Sequence, residues 1–388
     1  MTDPLLRYRP EFPILERTTY MISNSLGAMP RAVYDAMHDY ADIWANRGVR
    51  AWEEKWWMLA AEVGEQIGEL MNAPKCSIAL FQNVTTCQAV VASCLDFSGR
   101  RNKVVYTDMN FPSVMYFWEA QRAYGARVHM VPTDDGITIP TERLLKAIDE
   151  QTLIVPVSHV IFRSAYINDA KAIIDRAHRV GAYVVLDTFQ SLGTVPVDVC
   201  NLDVDFACGG VLKWLCGGPG VAYLYVRPDL GRKLEPRFTG WIAHEQPFAF
   251  ETGPIRYAEP PYKFMNGTPH VPALYAAQPG LRIIQEIGVE AIREKSKRQT
   301  ARLIQLAEQH GWRVNTPRDP EKRGGTVSIN MPNSQEVCGE LLKRDILVDF
   351  RPKAGVRFSP HFYNTDEELE TAISAVEEIL HSRAAVAR

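Results

Sequence analysis

The sequence carries no excess of either charge sign. Its 43 Lys and Arg residues oppose 46 Asp and Glu, a formal net charge of −3, so no overall field favours nucleic acid or an anionic membrane. Long apolar runs are missing too. Nothing approaches the roughly 18 uninterrupted apolar residues of a membrane span, and the opening stretch MTDPLLRYRPEFPILERTTY lacks the apolar centre of a secretion signal. A cytoplasmic protein with no nucleic-acid or membrane partner is expected. Patterns for metals and disulfides are equally scarce. The seven cysteines (Cys76, Cys87, Cys94, Cys200, Cys208, Cys216 and Cys338) are odd in number and contain no C-x-x-C pair, and the nine histidines form no H-E-x-x-H. Reduced, mostly buried thiols and no bound metal follow. Neither G-x-G-x-x-G nor G-x-x-x-x-G-K-[ST] occurs, which argues against a nucleotide cradle, and there is no repeat or low-complexity segment.

What is present is an ordinary globular composition: 388 residues, 46% hydrophobic and 23% charged, enough for two or three domains' worth of core. The middle of the chain alternates short β-branched runs with longer amphipathic ones. The runs at 103–106, 127–131, 153–160, 182–187, 205–208 and 221–226 are nearly continuous, as strands covered on both faces require. Helix-like stretches at 115–124 and 169–180 lie between them, the second placing Ala172, Ile173, Ala177 and Val180 near one face. An α/β domain with parallel strands joined by right-handed crossovers is predicted. After Gly288 the texture changes to a charged helix (290–311), a strand (326–330), a helix (334–344), strands (346–350 and 356–359) and a last helix from Asp366, which reads as a smaller α+β domain. The Pro-, Gly- and aromatic-rich stretch 237–272 fits neither texture and is long enough to carry function.

Three segments carry chemistry. In Tyr183-Val-Val-Leu-Asp187-Thr-Phe-Gln190, an acid stands where a buried strand meets its loop, the carboxyl edge at which open α/β sheets bind ligands. A capping or turn aspartate is the alternative. Lys213 is a single cation in an otherwise uncharged, glycine-rich segment just past another strand. Apolar surroundings lower a lysine's pKa and make it an amine nucleophile suited to Schiff-base chemistry; a snorkelling surface lysine is the alternative. Asn83-Val-Thr85-Thr86-Cys-Gln88 opens a helix-like stretch whose hydroxyls and N–H groups suit a phosphate, or merely cap the helix. Pyridoxal phosphate needs all three: a lysine for its aldehyde, an acid at its ring nitrogen and donors for its phosphate.

With these motifs the sequence resembles the pyridoxal-phosphate enzymes of fold type I, in the class V aminotransferase group, and within it most closely the kynureninases. The carriers are SNSLG at 23–27, residues 83–88, Asn110-Phe-Pro112, Asp187-x-x-Gln190, Leu212-Lys213-Trp214 with Gly217-Gly-Pro-Gly220, Thr239-Gly-Trp241-x-x-His244, Gly267-Thr268-Pro269, Val348-Asp-Phe-Arg351 and Val356-Arg357-Phe358. The resemblance implies a large cofactor domain (51–287) with a mostly parallel sheet between helices, a small C-terminal domain (288–388), and an N-terminal segment (1–50) joining the small domain and a dimer interface. It implies that Lys213 forms the internal aldimine and moves the Cα proton, that Asp187 pairs with the pyridine nitrogen, and that Phe111 stacks on the ring. Gln190 would bond the ring hydroxyl, Thr85 and Thr86 the phosphate, and Ser164 either group. Thr268, reaching the phosphate from a second subunit, and Trp241, bordering the side-chain pocket from there, imply a homodimer with shared sites. Arg357 would hold the α-carboxylate of an amino-acid substrate, and the side-chain slot would be aromatic, with Trp52 or Tyr166 beside Phe111 and Trp241.

The departures matter as much. No cysteine lies in 346–359, where a desulfurase of this group carries one. Leu212, Val114 and Gln190 stand where kynureninases have tyrosine, aspartate and histidine. The expected chemistry passes through an external aldimine and a quinonoid. Amino transfer is the first expectation, side-chain cleavage at Cβ by a kynureninase-like hydrolase or lyase the second, and a binding homologue without turnover the third.

Overall fold

The structure, a computed structural model, describes residues 3–386, with side chains to residue 382. Its strands in chain order are β1 (Thr19–Tyr20), β2 (Ile78–Phe81), β3 (Lys103–Thr107), β4 (Arg127–Val131), β5 (Thr152–Ser158), β6 (Tyr183–Asp187), β7 (Phe206–Gly210), β8 (Ala222–Val226), β9 (Arg313–Val314), β10 (Val327–Asn330), β11 (Ile346–Leu347), β12 (Asp349–Arg351) and β13 (Gly355–Phe358). Seven of them form one sheet in the order β2-β8-β7-β6-β5-β3-β4. Val184, Val185 and Leu186 of β6 are fully buried because helices cover both faces, which is why the strand reads as one apolar run.

One strand departs from the predicted parallel arrangement. β8 is antiparallel to both β2 and β7, whereas the β7/β6, β6/β5, β5/β3 and β3/β4 pairs are parallel. Two reversals leave β2 running with the others. The reversal arises because the segment after β7 folds straight back: Val211 N donates to Val221 O at 3.1 Å and Gly217 N to Val211 O at 2.9 Å. That turn places Lys213 at the carboxyl edge of the sheet.

Helix Ala170–Arg179 begins at Asp169, whose side chain accepts from Ala172 N at 3.0 Å, and buries Ala170, Ile173, Ile174 and Ala177. The buried stripe thus lies slightly round the helix from the predicted one. A second sheet, β12-β13-β10-β9, is antiparallel throughout. The predicted strand 346–350 is divided between sheets: β11 pairs with β1 in parallel, and β12 pairs with β13. Among the described residues two main apolar cores result, beside a minor cluster of Val160, Ala165 and Val195. Phe12, Leu15 and Tyr20 join the large one, while Met21 joins the small one with Leu303, Val327 and Phe358. Helix Val289–Gln309 spans both, with Ile292 in the first and Leu303 in the second. The cysteines are free thiols; Cys87, Cys208, Cys216 and Cys338 are buried, but Cys76 and Cys200 are exposed.

Candidate active site

Parallel strands deliver the chemistry-bearing residues to one edge. Asn83 follows β2, Phe111 follows β3, Ser158 ends β5, Asp187 ends β6 and Lys213 follows β7. A cavity of about 230 Å³ lies there, with Thr85, Phe111, Ser158, Asp187, Gln190 and Lys213 in its lining. Val114, Val160, Phe162, Phe189 and Leu212 make the rest of the wall mostly apolar.

Lys213 has no ion pair among the described residues. Its Nζ lies 4.2 Å from the Phe189 ring centroid and 5.6 Å from that of Phe111. Loss of hydration lowers its pKa from 10.5 to about 8; Asp187 opposes the shift and Arg357 adds to it. A minor but usable fraction of the amine is therefore neutral near physiological pH, as a nucleophile needs. Burial likewise pushes the Asp187 carboxyl above its ordinary value, against the N–H of Phe189 and the charge of Lys213. Phe189 N donates to Asp187 Oδ1 at 3.0 Å, and Oδ2 has no hydrogen bond among the described residues.

Gln190 is oriented by a donor that cannot accept. Trp214 Nε1 donates to Gln190 Oε1 at 3.0 Å, so Nε2 must turn the other way, where it donates to Asn24 O at 2.9 Å. One N–H of Nε2 remains. The segment carrying Asn24 also braces the lysine loop: Gly27 N donates to Leu212 O at 2.8 Å, and a Cβ on Gly27 would meet Lys213 O at 2.1 Å. Only glycine permits that approach.

Asn83 caps helix Val84–Ser93, its Oδ1 accepting from Thr86 N at 3.0 Å and Thr86 Oγ1 at 3.2 Å. Thr85 faces the cavity, while the Thr86 hydroxyl is spent on the cap. Ser164 is not brought in: its Oγ donates to Ile137 O at 2.6 Å and accepts from Tyr166 N at 3.2 Å, beside Ala165 with φ of 60°. Tyr166 is buried away from the cavity. Thr268 and Trp241 line a different, open groove of about 860 Å³ with Trp52, Trp57, Met58 and Phe248. Arg357 stands behind the Phe162 wall, paired with Asp349.

Phe189, Phe162, Ser158 and Asp349 escape the sequence reading. For Asp349 a signal existed: opposite charges at facing positions of a β12/β13 hairpin. For Phe189, which lies inside the Asp187-x-x-Gln190 motif, nothing in the motif says which side chain turns toward the lysine.

The residues fit pyridoxal phosphate. A carboxylate with an unpartnered oxygen, an amine that is partly neutral, a spare amide N–H and a helix N-terminus converge on one apolar cavity. Comparison with known proteins agrees. The aminotransferase class-V family profile matches residues 19–371. A Bacillus subtilis protein described as "Uncharacterized aminotransferase YcbU" is 33% identical over 95% of this chain and 96% of its own. A Pseudomonas fluorescens kynureninase is 31% identical over 97% of this chain and 93% of its own. Among solved structures, the cysteine desulfurase of Thermococcus onnurineus superposes with a TM-score of 0.87 at 24% identity, covering 98% of this chain and 99% of that one. A C-DES variant with glycine linked to its PLP cofactor gives 0.85 at 21% identity, covering 95% and 98%. The architecture is that of fold type I, and the chain belongs to the class V aminotransferase family of pyridoxal-phosphate enzymes.

Proposed function

We propose that the protein transfers the amino group of an α-amino acid with an apolar or aromatic side chain to a 2-oxo acid. The observation that carries this reading is the inventory of the cavity: Asp187 and Lys213 are the only titratable groups among the residues lining it. Bound pyridoxal phosphate supplies an aldehyde that captures the amine and a ring that accepts the electron pair released at Cα. Lys213 Nζ, its pKa lowered by burial, takes the Cα proton and returns it for amino transfer. Asp187 Oδ2 holds the ring nitrogen's proton in place. Gln190 Nε2 orients the ring hydroxyl, and Thr85 with the first turn of helix Val84–Ser93 holds the phosphate. Phe111 and Phe189 keep water from the lysine, and Arg357 takes the substrate carboxylate. Thr86, whose hydroxyl is in the cap, and Ser164 have no contact in this scheme. The groove holding Thr268 and Trp241 belongs, in this reading, to the site of a second subunit in a homodimer.

Hydrolysis of a side chain at Cβ makes a further demand. A water must lose a proton and the departing group must gain one, which calls for acid and base groups beyond a single lysine. Leu212, Val114 and Gln190 add none, and no cysteine lines the cavity to receive sulfur.

The test is incubation of the cofactor-loaded protein with single amino acids and no oxo acid. Amino transfer leaves the cofactor in its amine form, discharged only when a 2-oxo acid is added. Release of anthranilate and alanine from kynurenine would establish side-chain hydrolysis in its place.

A further inference from the structure

Arg357, just behind the Phe162 wall of the cavity, is already bonded. Its Nε donates to Asp349 Oδ1 at 2.7 Å and its Nη2 to Asp349 Oδ2 at 2.5 Å, while Nη1 donates to Phe162 O at 2.6 Å. The carboxylate therefore grips the guanidinium along one edge. Both residues are buried, Arg357 at 3% and Asp349 at 8% exposure. They stand opposite each other on antiparallel β12 and β13, so the backbone register sets the pairing. A guanidinium has five N–H groups. Three are used, which leaves one N–H on each terminal nitrogen for a second carboxylate. The partly exposed Arg351 also reaches Asp349, Nη2 to Oδ2 at 3.1 Å, so two cations share one anion and the cluster keeps a positive charge.

We propose that Asp349 is the positioning residue for substrate recognition: it locks the Arg357 guanidinium edge-on so that its two free N–H groups receive the α-carboxylate. An unheld guanidinium would keep its rotamers until substrate arrived, and bidentate recognition depends on the plane being set beforehand. Asp349 is thus an aid to carboxylate binding and not a competitor for Arg357. The inference rests on the reading of Arg357 as the carboxylate-binding arginine.

Two probes that consume the cofactor absorbance of the loaded enzyme separate the possibilities. Aminooxyacetate carries a carboxylate and O-methylhydroxylamine does not, so the ratio of their second-order rates reads carboxylate recognition alone. Wild type should favour aminooxyacetate, and Arg357→Gln should lose the preference. Asp349→Asn should cut it by about tenfold or more, with the O-methylhydroxylamine rate little changed. If Arg357→Gln keeps the preference, the role of Arg357 is wrong. If it loses the preference but Asp349→Asn retains or increases it, Asp349 does not position the arginine. Asp349→Glu, which keeps the charge but displaces it by one methylene, should also lower the ratio. Failure of both Asp349 variants to hold cofactor would overturn the inference in favour of a role in folding.

Discussion

The indole of Trp214, the next residue after Lys213, donates to Gln190 Oε1 at 3.0 Å and so decides which face of that amide meets the cavity. Trp214→Phe removes the donor and leaves a buried carbonyl oxygen unpaired, at a cost of about 1–3 kcal/mol. The amide is then free to turn its oxygen inward, where it repels the ring hydroxyl's oxygen. Pyridoxal-phosphate affinity should fall by about tenfold, read by absorbance titration of the stripped protein. An unchanged dissociation constant would remove Gln190 from the cofactor contacts.

Lys213 sets a pH dependence with a defined sign. In the stripped protein the neutral amine is the reactive form, so the rate of cofactor reloading should rise with pH and level off above about 8. Stability moves the same way. Between the folded value of about 8 and the unfolded 10.5, the unfolded chain binds more protons at this group, so its contribution to stability grows as pH rises through that window. Lys213→Met should lose both responses. Asp187→Asn should shift the reloading curve to lower pH, because Asp187 is what holds the lysine's pKa up.

Asp187 is costly to bury, and its carboxyl is displaced upward for that reason. Asp187→Asn keeps the shape without the charge. The stripped variant should melt no lower than wild type, while turnover drops by roughly a hundred- to a thousandfold. A lower melting temperature with activity preserved would make Asp187 a structural residue.

Gly27 offers a test of the brace behind the lysine. An added methyl would meet Lys213 O at 2.1 Å and Cys216 Cα at 3.0 Å, both backbone atoms that cannot swing aside. Gly27→Ala should destabilise by about 1–3 kcal/mol and weaken cofactor loading. Gly339→Ala is the matched control: it lies in helix Ser334–Lys343 with nothing within 4 Å, and should stabilise by up to about 1 kcal/mol. Thermal melts with and without cofactor compare the two.

The strands of the large sheet were legible because burial on both faces writes them as apolar runs of strand length, closed by residues such as Asp187 and Gly209. Direction is not written in such a run, so β8 looked like its parallel neighbours. Its reversal depends on the turn at Val211 and Val221. The stretch 346–350 keeps strand character throughout while changing partner at Val348, and nothing local marks that exchange. Among site residues, Thr85 and Ser164 carry the same kind of hydroxyl, yet only Thr85 faces the cavity. The difference lies in the loop: Ile137 and Tyr166 draw Ser164 away through contacts between segments distant in sequence. Arg357 entered through the resemblance as the carboxylate-binding arginine, but its pairing required knowing that Asp349 lies across the hairpin.

Thr268 and Lys213 line separate cavities of the same chain, and the proposed homodimer predicts that they meet across its interface. Each could then be inactivated separately. Lys213→Ala removes the amine, and Thr268→Asp places a negative charge against the cofactor phosphate. In a mixed dimer of the two variants, one site inherits both defects and the other inherits neither. Equal amounts reassorted at random give half mixed dimers with one intact site of two, so about a quarter of wild-type activity should return. If both residues serve the same site within one chain, each site of the mixed dimer keeps one defect and no activity returns. Mixing followed by unfolding and refolding, or co-expression with two tags, makes the measurement, with sedimentation to verify that dimers have formed.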